Sequence, residues 1–519
     1  MSDPPLAPEY GGEGRNETIM KRGKDPKVVV IGLDCAAPEL VFERLRGQLP
    51  HLERLMARGL SGRLRSCDPP HTVPAWSVMM SGKDPGTLGI YGYRNRLDYS
   101  YDKMAFATST AVREPRLWDY LGRAGKRVLL MGIPQTYPPR PVHGLLVSCF
   151  LTPSIEHTYT FPADLKHEIA RLAHPYLLDV PDFRSADEAR LRRDIFHMAE
   201  QHFTLARHFL RTRPWDFFMM VEISNDRVHH AFWKYTDPSH PHYRPGNPWE
   251  QVIPEYYRLV DEHIGLLLQE VPEDAVVLVV SDHGAKAMAG GLCINEWLIR
   301  EGYLVVREYP ERPTRLAELA VDWPRTRAWG EGGHYGRVFL NVRGREPQGV
   351  IPPGEYEAFR DRLARELAAI PDDQGRSIGT QVFKPQELYR QVNGIPPDLM
   401  VYFGGLRWRS VGTVGGKTIH TFENDLGPDA ANHAEEGLFI LAGPGIPAGQ
   451  HWHEGTLLDV VPTLMKLFGL EVPPDLQGKP FPLGKEVGVP ALAGFGRLKA
   501  RLQHLLRKGI KTGVRGGDA

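Results

Sequence analysis

The chain has 519 residues, 63 basic and 63 acidic side chains, 42% apolar residues and 24% charged residues. This composition is typical of a globular protein and argues against a disordered, collagen-like or membrane-spanning chain. The formal net charge of zero also excludes a protein that coats nucleic acid, because such a protein needs a large basic excess.

The first residues and the cysteine content predict a cytoplasmic protein. Residues 1–26 are rich in Pro, Gly and charge, so we expect a flexible N-terminal tail, and they lack the apolar core of a secretory signal. No apolar run approaches the ~18 residues needed to span a membrane. The four cysteines include no CxxC pair and are too few for a disulfide framework, which favours a reducing compartment.

Five continuous apolar runs predict strands that are buried on both faces of a parallel sheet. In chain order they are KVVVIGLD from Lys27, RVLLMGIP from Arg127, DFFMMVEIS from Asp216, AVVLVVSDHG from Ala275 and GLFILAGPGI from Gly437. Helical patterns lie between them, for example over residues 38–59 and 255–268. This alternation predicts an α/β fold with a doubly wound, mainly parallel sheet.

A different pattern between the fourth and fifth runs predicts an inserted, smaller α+β subdomain. Residues 337–344 alternate apolar and polar side chains like an exposed or half-buried strand. Residues 355–370 form an amphipathic helical pattern, and residues 397–404 predict another strand. We place this insertion at about residues 286–425, inside a catalytic domain of residues 27–490.

The last segment, residues 491–519, is predicted to be a basic amphipathic tail. Between Gly494 and Ala519 there are seven basic residues and one acidic residue, and the apolar side chains follow helical spacing. Such a helix suits peripheral contact with an anionic membrane surface or with a partner protein. A helix packed on its own domain, or a solvated tail, is the alternative.

Candidate ligands for metal ions lie at or beside the ends of the predicted strands, where open α/β sheets bind their ligands. These carboxylates and imidazoles are Asp34, Asp226, His230, Asp282, His283 and His433. Such a donor set suits Zn, Mn or Fe. Asp226 and His230 are four residues apart and would share one face of a helix. Asp282 and His283 point in opposite directions, so they could serve one metal ion or two adjacent ones.

Thr72 is the candidate nucleophile. It precedes Pro74 by two residues, which fits the first turn of a helix over PAWSVMMSG. Thr72 is also a good helix cap, and the two roles are compatible, because a hydroxyl at a helix N-terminus lies beside backbone N–H groups that bind phosphate oxygens. Contact with a metal ion would lower the pKa of the hydroxyl.

The motif order resembles the alkaline phosphatase superfamily, and within it the type I phosphodiesterase/nucleotide pyrophosphatase group. The motifs are GLD, TVPAWSVMMSGKDPGTLGI, NDRVHH, SDHG and NHAEEGLFILAGPGI. The resemblance implies an alkaline phosphatase-like core and two divalent metal ions, with Zn expected and Mn or Fe as alternatives. It implies one metal ion on Asp226, His230 and His433, and another on Asp34, Asp282, His283 and Thr72. It also implies hydrolysis of a small phosphorylated or nucleotide-like substrate through a phospho-threonine intermediate on Thr72.

One position departs from the pattern of this group. Nucleotide pyrophosphatases commonly carry Asn after T-x-P, where it donates to a phosphoryl oxygen, and here that residue is Ala75. A single such donor is typically worth about 2.7–4 kcal/mol in rate. Asn225 and Trp76 are the candidate substrate-binding residues that would replace it, unless the substrate differs.

Several alternatives remain open at this stage. A phosphomutase or phospho-group transferase of the same superfamily would share the first half of the reaction, and a non-catalytic metal or ligand-binding protein could use the same fold. A sulfatase is disfavoured, because CDPPH at Cys67 lacks the Arg of C-x-P-x-R. A monoester substrate would need a further cation, for which Lys83, Lys286 and Arg227 are candidates.

Overall fold

The computed structural model describes residues 26–425 and 427–483. The predicted N-terminal tail lies outside this range apart from Pro26, and the predicted basic tail at 491–519 lies wholly outside it, so both stay predictions. Among the described residues, no helix combines the length and the apolarity that crossing a membrane would require.

The strands of the described residues belong to one large sheet and several small ones. In chain order they are β1 (Val28–Leu33), β2 (Gly59–Arg65), β3 (Arg94–Arg96), β4 (Met104–Phe106), β5 (Val128–Met131), β6 (Gly144–Val147), β7 (Thr160–Phe161), β8 (Phe217–Glu222), β9 (Val276–Val280), β10 (Gly284–Ala287), β11 (Gly290–Cys293), β12 (Ala328–Glu331), β13 (Gly336–Leu340), β14 (Gln381–Phe383), β15 (Leu399–Tyr402), β16 (Trp408–Val411), β17 (His420–Thr421), β18 (Ala431–Ala434), β19 (Glu436–Ala442), β20 (Gln450–His451) and β21 (Gly455–Thr456).

The large sheet of the described residues has ten strands in the order β20-β2-β19-β9-β1-β8-β5-β6-β7, and β21 also pairs with β2. The central strands β9, β1, β8, β5 and β6 are parallel to one another. The predicted doubly wound, mainly parallel α/β fold is therefore confirmed.

The α-helices of the described residues cover both faces of this sheet or lie in the region that follows β11. They are α1 (Pro50–Ala57), α2 (Thr72–Ser81), α3 (Pro85–Leu88), α4 (Leu117–Arg123), α5 (Leu165–Leu172), α6 (Glu188–Thr212), α7 (Ser224–Thr236), α8 (Val252–Leu268), α9 (Ile294–Arg300), α10 (Tyr356–Ala368), α11 (Pro385–Leu388) and α12 (Val460–Leu467). One core packs α1, α5, α6, α7 and α8 on one face, and another packs α2, α4 and α12 on the opposite face.

The two cores explain why the central strands are apolar throughout. Along β1, Val29, Ile31 and Leu33 enter one core, while Val28 and Val30 enter the other. Because successive side chains of a strand point to opposite faces, a strand with helices on both sides has no face left for polar residues.

A third hydrophobic core lies among residues 292–419 and is separate from the two that flank the large sheet. It packs α9 and α10 against the antiparallel sheet β12-β13-β15-β14. On either side of this region, β10 and β18 pair with each other in antiparallel fashion and lie beside the metal-ligand candidates. The exact bounds predicted for the insertion stay a prediction.

Three sequence-based expectations about elements are wrong in detail. The strand from Gly437 is β19, which runs antiparallel to β9, because the chain enters it directly from β18 without a crossover helix. The helical pattern over residues 38–59 is interrupted at Gly47, which has φ +81°, and α1 begins only at Pro50. Strand β13 is buried throughout rather than half-buried, because Val338, Phe339 and Leu340 all pack into the third hydrophobic core.

Because β9 is buried on both faces, shortening one of its side chains should strongly lower the free energy of unfolding. Replacing the fully buried Leu278 by alanine should lower the free energy of unfolding by about 2–5 kcal/mol, since the change leaves a cavity between tightly packed layers. Leu97, whose exposed fraction is 65%, is the matched control, and Leu97→Ala should change it by less than ~0.5 kcal/mol. Urea unfolding followed by tryptophan fluorescence measures both, and equal shifts would contradict the assigned burial.

Candidate metal centre and active site

The carboxyl ends of two neighbouring parallel strands bring two carboxylates together. Asp34 directly follows β1 and Asp282 lies two residues after β9, and these strands are adjacent and parallel. Cys35, the residue after Asp34, adopts a left-handed conformation with φ 63°. The N–H of Cys35 donates to Asp282 Oδ1 at 3.1 Å. This turn fixes Asp282 against the end of β1.

His283 and Thr72 complete the first group of side chains. His283 Nε2 lies 3.2 Å from Asp282 Oδ2 and 3.8 Å from Asp34 Oδ1. Thr72 Oγ1 lies 3.5 Å from Asp34 Oδ1 and 3.3 Å from His283 Nε2. The threonine is the first residue of α2, and His71 is the N-cap, so Thr72 is not itself the cap. All four side chains are buried.

A second group lies beside the first and joins α7 to β18. Asp226 and His230 are one turn apart on α7, and His230 Nε2 lies 3.2 Å from Asp226 Oδ1. His433 Nε2, from β18, lies 3.6 Å from the same oxygen and 3.3 Å from His230 Nε2. The rings of His433 and His283 stack with their centroids 3.8 Å apart, so the two groups are in contact.

The three imidazoles have the same orientation, with Nδ1 bonded outward and Nε2 turned toward the carboxylates. Nδ1 of His230 lies 2.7 Å from Asp429 Oδ1, Nδ1 of His433 lies 2.9 Å from the carbonyl oxygen of Pro70, and Nδ1 of His283 lies 3.2 Å from that of Gly284. These acceptors require a proton on Nδ1, which leaves a lone pair on Nε2. Metal-ligating histidines are held in this way.

The buried carboxylates lack enough positive charge around them. Burial raises the pKa of Asp34 well above its usual range, and the charge of Asp226 raises it further. Burial and the charge of Asp34 do the same to the pKa of Asp282. Burial also opposes ionisation of Asp226, but His230 beside it holds the pKa of Asp226 well below its usual range. Ionising all three together would therefore need further cations.

The donor atoms suit divalent metal ions in two respects, which are their spacing and the lack of hydrogen bonds to two carboxylate oxygens in the part of the chain that is described. Tetrahedral coordination at bond lengths near 2.1 Å separates ligand atoms by about 3.4 Å. The three donor atoms of the second group are 3.2–3.6 Å apart. Asp226 Oδ1 and Asp282 Oδ2 are buried and have no hydrogen-bond partner among the residues that the structure describes. Asp34, Asp282 and His283 also converge closely enough to hold one ion.

Trp76 and Asn225 hold Asp34 rather than face the cavity. Trp76 Nε1 donates to Asp34 Oδ2 at 2.7 Å, and Asn225 Nδ2 donates to the carbonyl oxygen of Asp34 at 2.8 Å. The indole N–H is thus already used, and neither side chain lines the cavity beside the metal-ligand candidates. These hydrogen bonds orient Asp34, and the expectation that the two residues replace the missing asparagine as substrate donors stays a prediction.

Two residues that sequence reasoning missed lie in the centre. Asp429 accepts from His230 and also pairs with Arg409 at 2.9 Å. His334 stacks on His433 with ring centroids 3.9 Å apart, and its ring nitrogen lies close enough to His230 and His433 for a shared metal ion. The position of Asp429, four residues before His433, is only a weak indication that it belongs to the site. His334 comes from the 292–419 region and does not follow a predicted strand of the large sheet, so its position gave no indication.

A cavity of about 440 Å³ opens beside Thr72 and the second group of ligands. Of the three cations considered for a monoester, Arg227 lines this cavity, but it pairs with both Asp179 and Asp226. Lys83 and Lys286 lie outside the cavity lining and are paired with Asp475 and Glu435 respectively. The structure therefore provides no unpaired lysine beside Thr72 among the described residues.

Comparison with known proteins agrees with this geometry. A family model for type I phosphodiesterase/nucleotide pyrophosphatase matches residues 28–429. None of the curated proteins compared with the chain matches it. The family predicted from the motif order is thus confirmed.

Solved structures share the fold at low sequence identity. Human ectonucleotide pyrophosphatase/phosphodiesterase 5 is 13% identical, with a TM-score of 0.50 over 86% of this chain and 96% of that one. An inactive threonine-to-alanine variant of the murine protein, in complex with AMP, is 14% identical, with a TM-score of 0.52 over 87% and 96%. Phosphonoacetate hydrolase from Sinorhizobium meliloti 1021, in complex with phosphonoformate, is 16% identical, with a TM-score of 0.53 over 84% and 94%. The chain belongs to the type I phosphodiesterase/nucleotide pyrophosphatase family and is a hydrolase of phosphoric ester bonds.

Proposed function

We propose that this chain is a phosphodiesterase of the nucleotide pyrophosphatase type that uses two divalent metal ions and Thr72 as its nucleophile. The observation that carries the proposal is the convergence of three Nε2 atoms and three buried carboxylates beside Thr72 Oγ1. Zinc suits this mixture of imidazole and carboxylate donors, and manganese or iron are the alternatives. We propose cytoplasm as the compartment.

Each metal ion would have its own group of ligands. Asp226, His230 and His433 would hold one, and Asp34, Asp282 and His283 would hold the other beside Thr72. When bound, such ions supply positive charge that favours the ionised hydroxyl and offsets the charge on the leaving oxygen. Trp76 and Asn225 keep Asp34 in place through their hydrogen bonds to it.

Thr72 would carry the reaction in two displacements. Its Oγ1 gives up its proton and forms a bond to phosphorus while the bond from phosphorus to the leaving oxygen breaks. The leaving oxygen takes up a proton and departs as an alcohol, and the phospho-threonine still carries the second ester group of the substrate. Water then attacks the same phosphorus, and the bond to Oγ1 breaks and restores the threonine. The N–H groups of Thr72 and Val73, in the first turn of α2, have no acceptor within the helix and would be available to the phosphoryl oxygens of a substrate bound at Thr72.

The substrate class is a small phosphorylated or nucleotide-like molecule. The AMP complex of the murine relative, captured in a variant that lacks a threonine, supports this choice. A phosphotransferase or phosphomutase would share the first displacement, so product analysis separates them. Release of alcohol and phosphate product without an added acceptor supports the hydrolase.

Loss of the nucleophile should abolish turnover while leaving the fold intact. Thr72→Ala should lower kcat by about 10³-fold or more, since the covalent path is then closed. Thr72→Ser keeps a hydroxyl and should retain measurable activity with a phosphorylated residue 72 in the acid-quenched enzyme. The exposed Thr110→Ala is the control, and mass spectrometry locates the phosphate. Full activity of Thr72→Ala would overturn the mechanism.

Removing a carboxylate ligand should remove a metal ion. The native protein should contain two divalent ions per chain, and Asp282→Asn should reduce this to about one, because an amide lacks the charge of the carboxylate. Asp274, an exposed residue at the opposite end of β9, gives the matched control Asp274→Asn. Elemental analysis after dialysis measures the content. A native protein that neither contains nor binds divalent ions would be incompatible with the proposal.

Bis(p-nitrophenyl) phosphate should be a better substrate than p-nitrophenyl phosphate. A monoester carries an additional charged oxygen beside the leaving group, and the cation nearest the ligands, Arg227, is already paired with Asp179 and Asp226. We therefore expect kcat/KM for the diester to exceed that for the monoester by about tenfold or more, which corresponds to a single charge-assisted contact. Release of p-nitrophenol gives both values. A preference for the monoester would reassign the chain to the phosphomonoesterases.

A further inference from the structure

Arg227 is held between two carboxylates in the wall of the cavity of about 440 Å³. Its Nε and Nη2 atoms donate to the two oxygens of Asp179 at 2.7 and 2.8 Å, and its Nη1 atom donates to Asp226 Oδ2. The ring centroids of Phe183 and Phe150 lie 4.3 and 5.3 Å from its Cζ atom, which adds cation–π contacts. The position of this cation is therefore fixed from several sides.

The two carboxylates differ in what they do beyond this contact. Asp226 is a candidate metal ligand, and its Oδ1 lies beside the Nε2 atoms of His230 and His433. Asp179 belongs to neither ligand group. Its side chain lines the cavity with an exposed fraction of 27%, and among the described residues its other hydrogen bond is from the N–H of Val180, at 2.8 Å. Asp179 therefore places in the cavity wall a negative charge that the metal-ligand candidates do not require.

The segment that carries Asp179 is pinned to α6. The side chain of Gln201, in the middle of this helix, accepts from the N–H of Leu177 at 3.1 Å. On the other side of Asp179, the guanidinium of Arg190 donates to the carbonyl oxygen of Pro181 at 2.8 Å. None of the metal-ligand candidates lies on α6, so Asp179 can be replaced without disturbing the elements that hold them.

The charge of the substrate decides how strongly Asp179 acts on it. A phosphomonoester carries a charge of about −1.5 to −2 at neutral pH, because its second pKa is about 6, whereas a diester carries a single negative charge. Coulombic repulsion is proportional to the charge, so a fixed carboxylate disfavours the monoester more strongly. The same carboxylate offsets the positive charge of Arg227. Both effects favour diesters.

We propose that Asp179 is a specificity-determining residue that keeps the site selective for diesters by neutralising Arg227. The inference rests on the proposed function and deepens it, because it assigns the diester preference to one side chain. Without this carboxylate, the guanidinium would keep its contacts with Asp226 and with the two rings. Its Nε and Nη2 donors would then be available to the terminal oxygens of a monoester, which match them in charge and in paired geometry. The chain thus carries a latent phosphomonoesterase activity.

Removing the charge of Asp179 tests the proposal. Asp179→Asn keeps the shape of the side chain, and kcat/KM for p-nitrophenyl phosphate should rise by about 10- to 100-fold, as expected for a new charge-assisted hydrogen bond. The value for bis(p-nitrophenyl) phosphate should rise by a smaller factor, so the diester preference falls. Asp179→Glu retains the charge and should keep most of the preference. Asp182→Asn, in the same segment but exposed and outside the cavity lining, is the matched control.

Phosphate binding gives a second measurement that does not depend on turnover. Inorganic phosphate resembles a monoester in carrying more than one negative charge at neutral pH, so Asp179 should also oppose its binding. Isothermal titration calorimetry on the purified Thr72→Ala protein gives its Kd. Adding Asp179→Asn to this protein should lower that Kd by about tenfold, and adding Asp182→Asn should not change it.

The outcomes separate this inference from the proposed function. An active Asp179→Asn enzyme that keeps the native ratio of diester to monoester kcat/KM would overturn the inference and leave the proposed function intact. An equal loss of preference in Asp179→Glu, or an unchanged affinity for phosphate, would also overturn it, because the charge of Asp179 would then not be the cause. A native enzyme that does not hydrolyse the diester would contradict the proposed function itself.

Discussion

The organisation of the site depends on the electrostatic cost of three carboxylates buried at one edge of the sheet. Asp34, Asp226 and Asp282 are held there by strand ends and by a helix, and all three are buried. Buried charges of one sign are stable only when opposite charge is close by. His230 lowers the pKa of Asp226, but the pKa values of Asp34 and Asp282 stay raised, so more positive charge is needed. Divalent cations can supply it, and their ligands would then stop repelling one another.

The surrounding residues hold the metal-ligand candidates in position through hydrogen bonds. Trp76 and Asn225 each donate to Asp34, and the backbone of Cys35 donates to Asp282. Asp429 fixes His230 and also binds Arg409, so one carboxylate links the second ligand group to the arginines of the cavity. The arginines beside the cavity are therefore tied to the metal-ligand candidates by direct contacts.

The fold and most of the centre could be predicted from the sequence because both leave local signals. Strands buried on both faces are apolar at every position, which identified β1, β8 and β9. The carboxyl ends of parallel strands meet at one edge, which placed Asp34 and Asp282 together. The direction of β19 left no such signal, because a strand buried on both faces has the same composition whichever way it runs.

Sequence by itself determined the family, through the order of its motifs, and the doubly wound sheet, through its apolar runs. It also indicated the side chains that converge on Thr72, because they lie at or beside strand ends or within one helical turn. Only the tertiary structure decided what Trp76 does, because an indole N–H is committed by whichever acceptor packs against it. It also decided that His334 and Arg409 join the centre. These two come from a region with its own core, and only packing brings that region against the sheet edge.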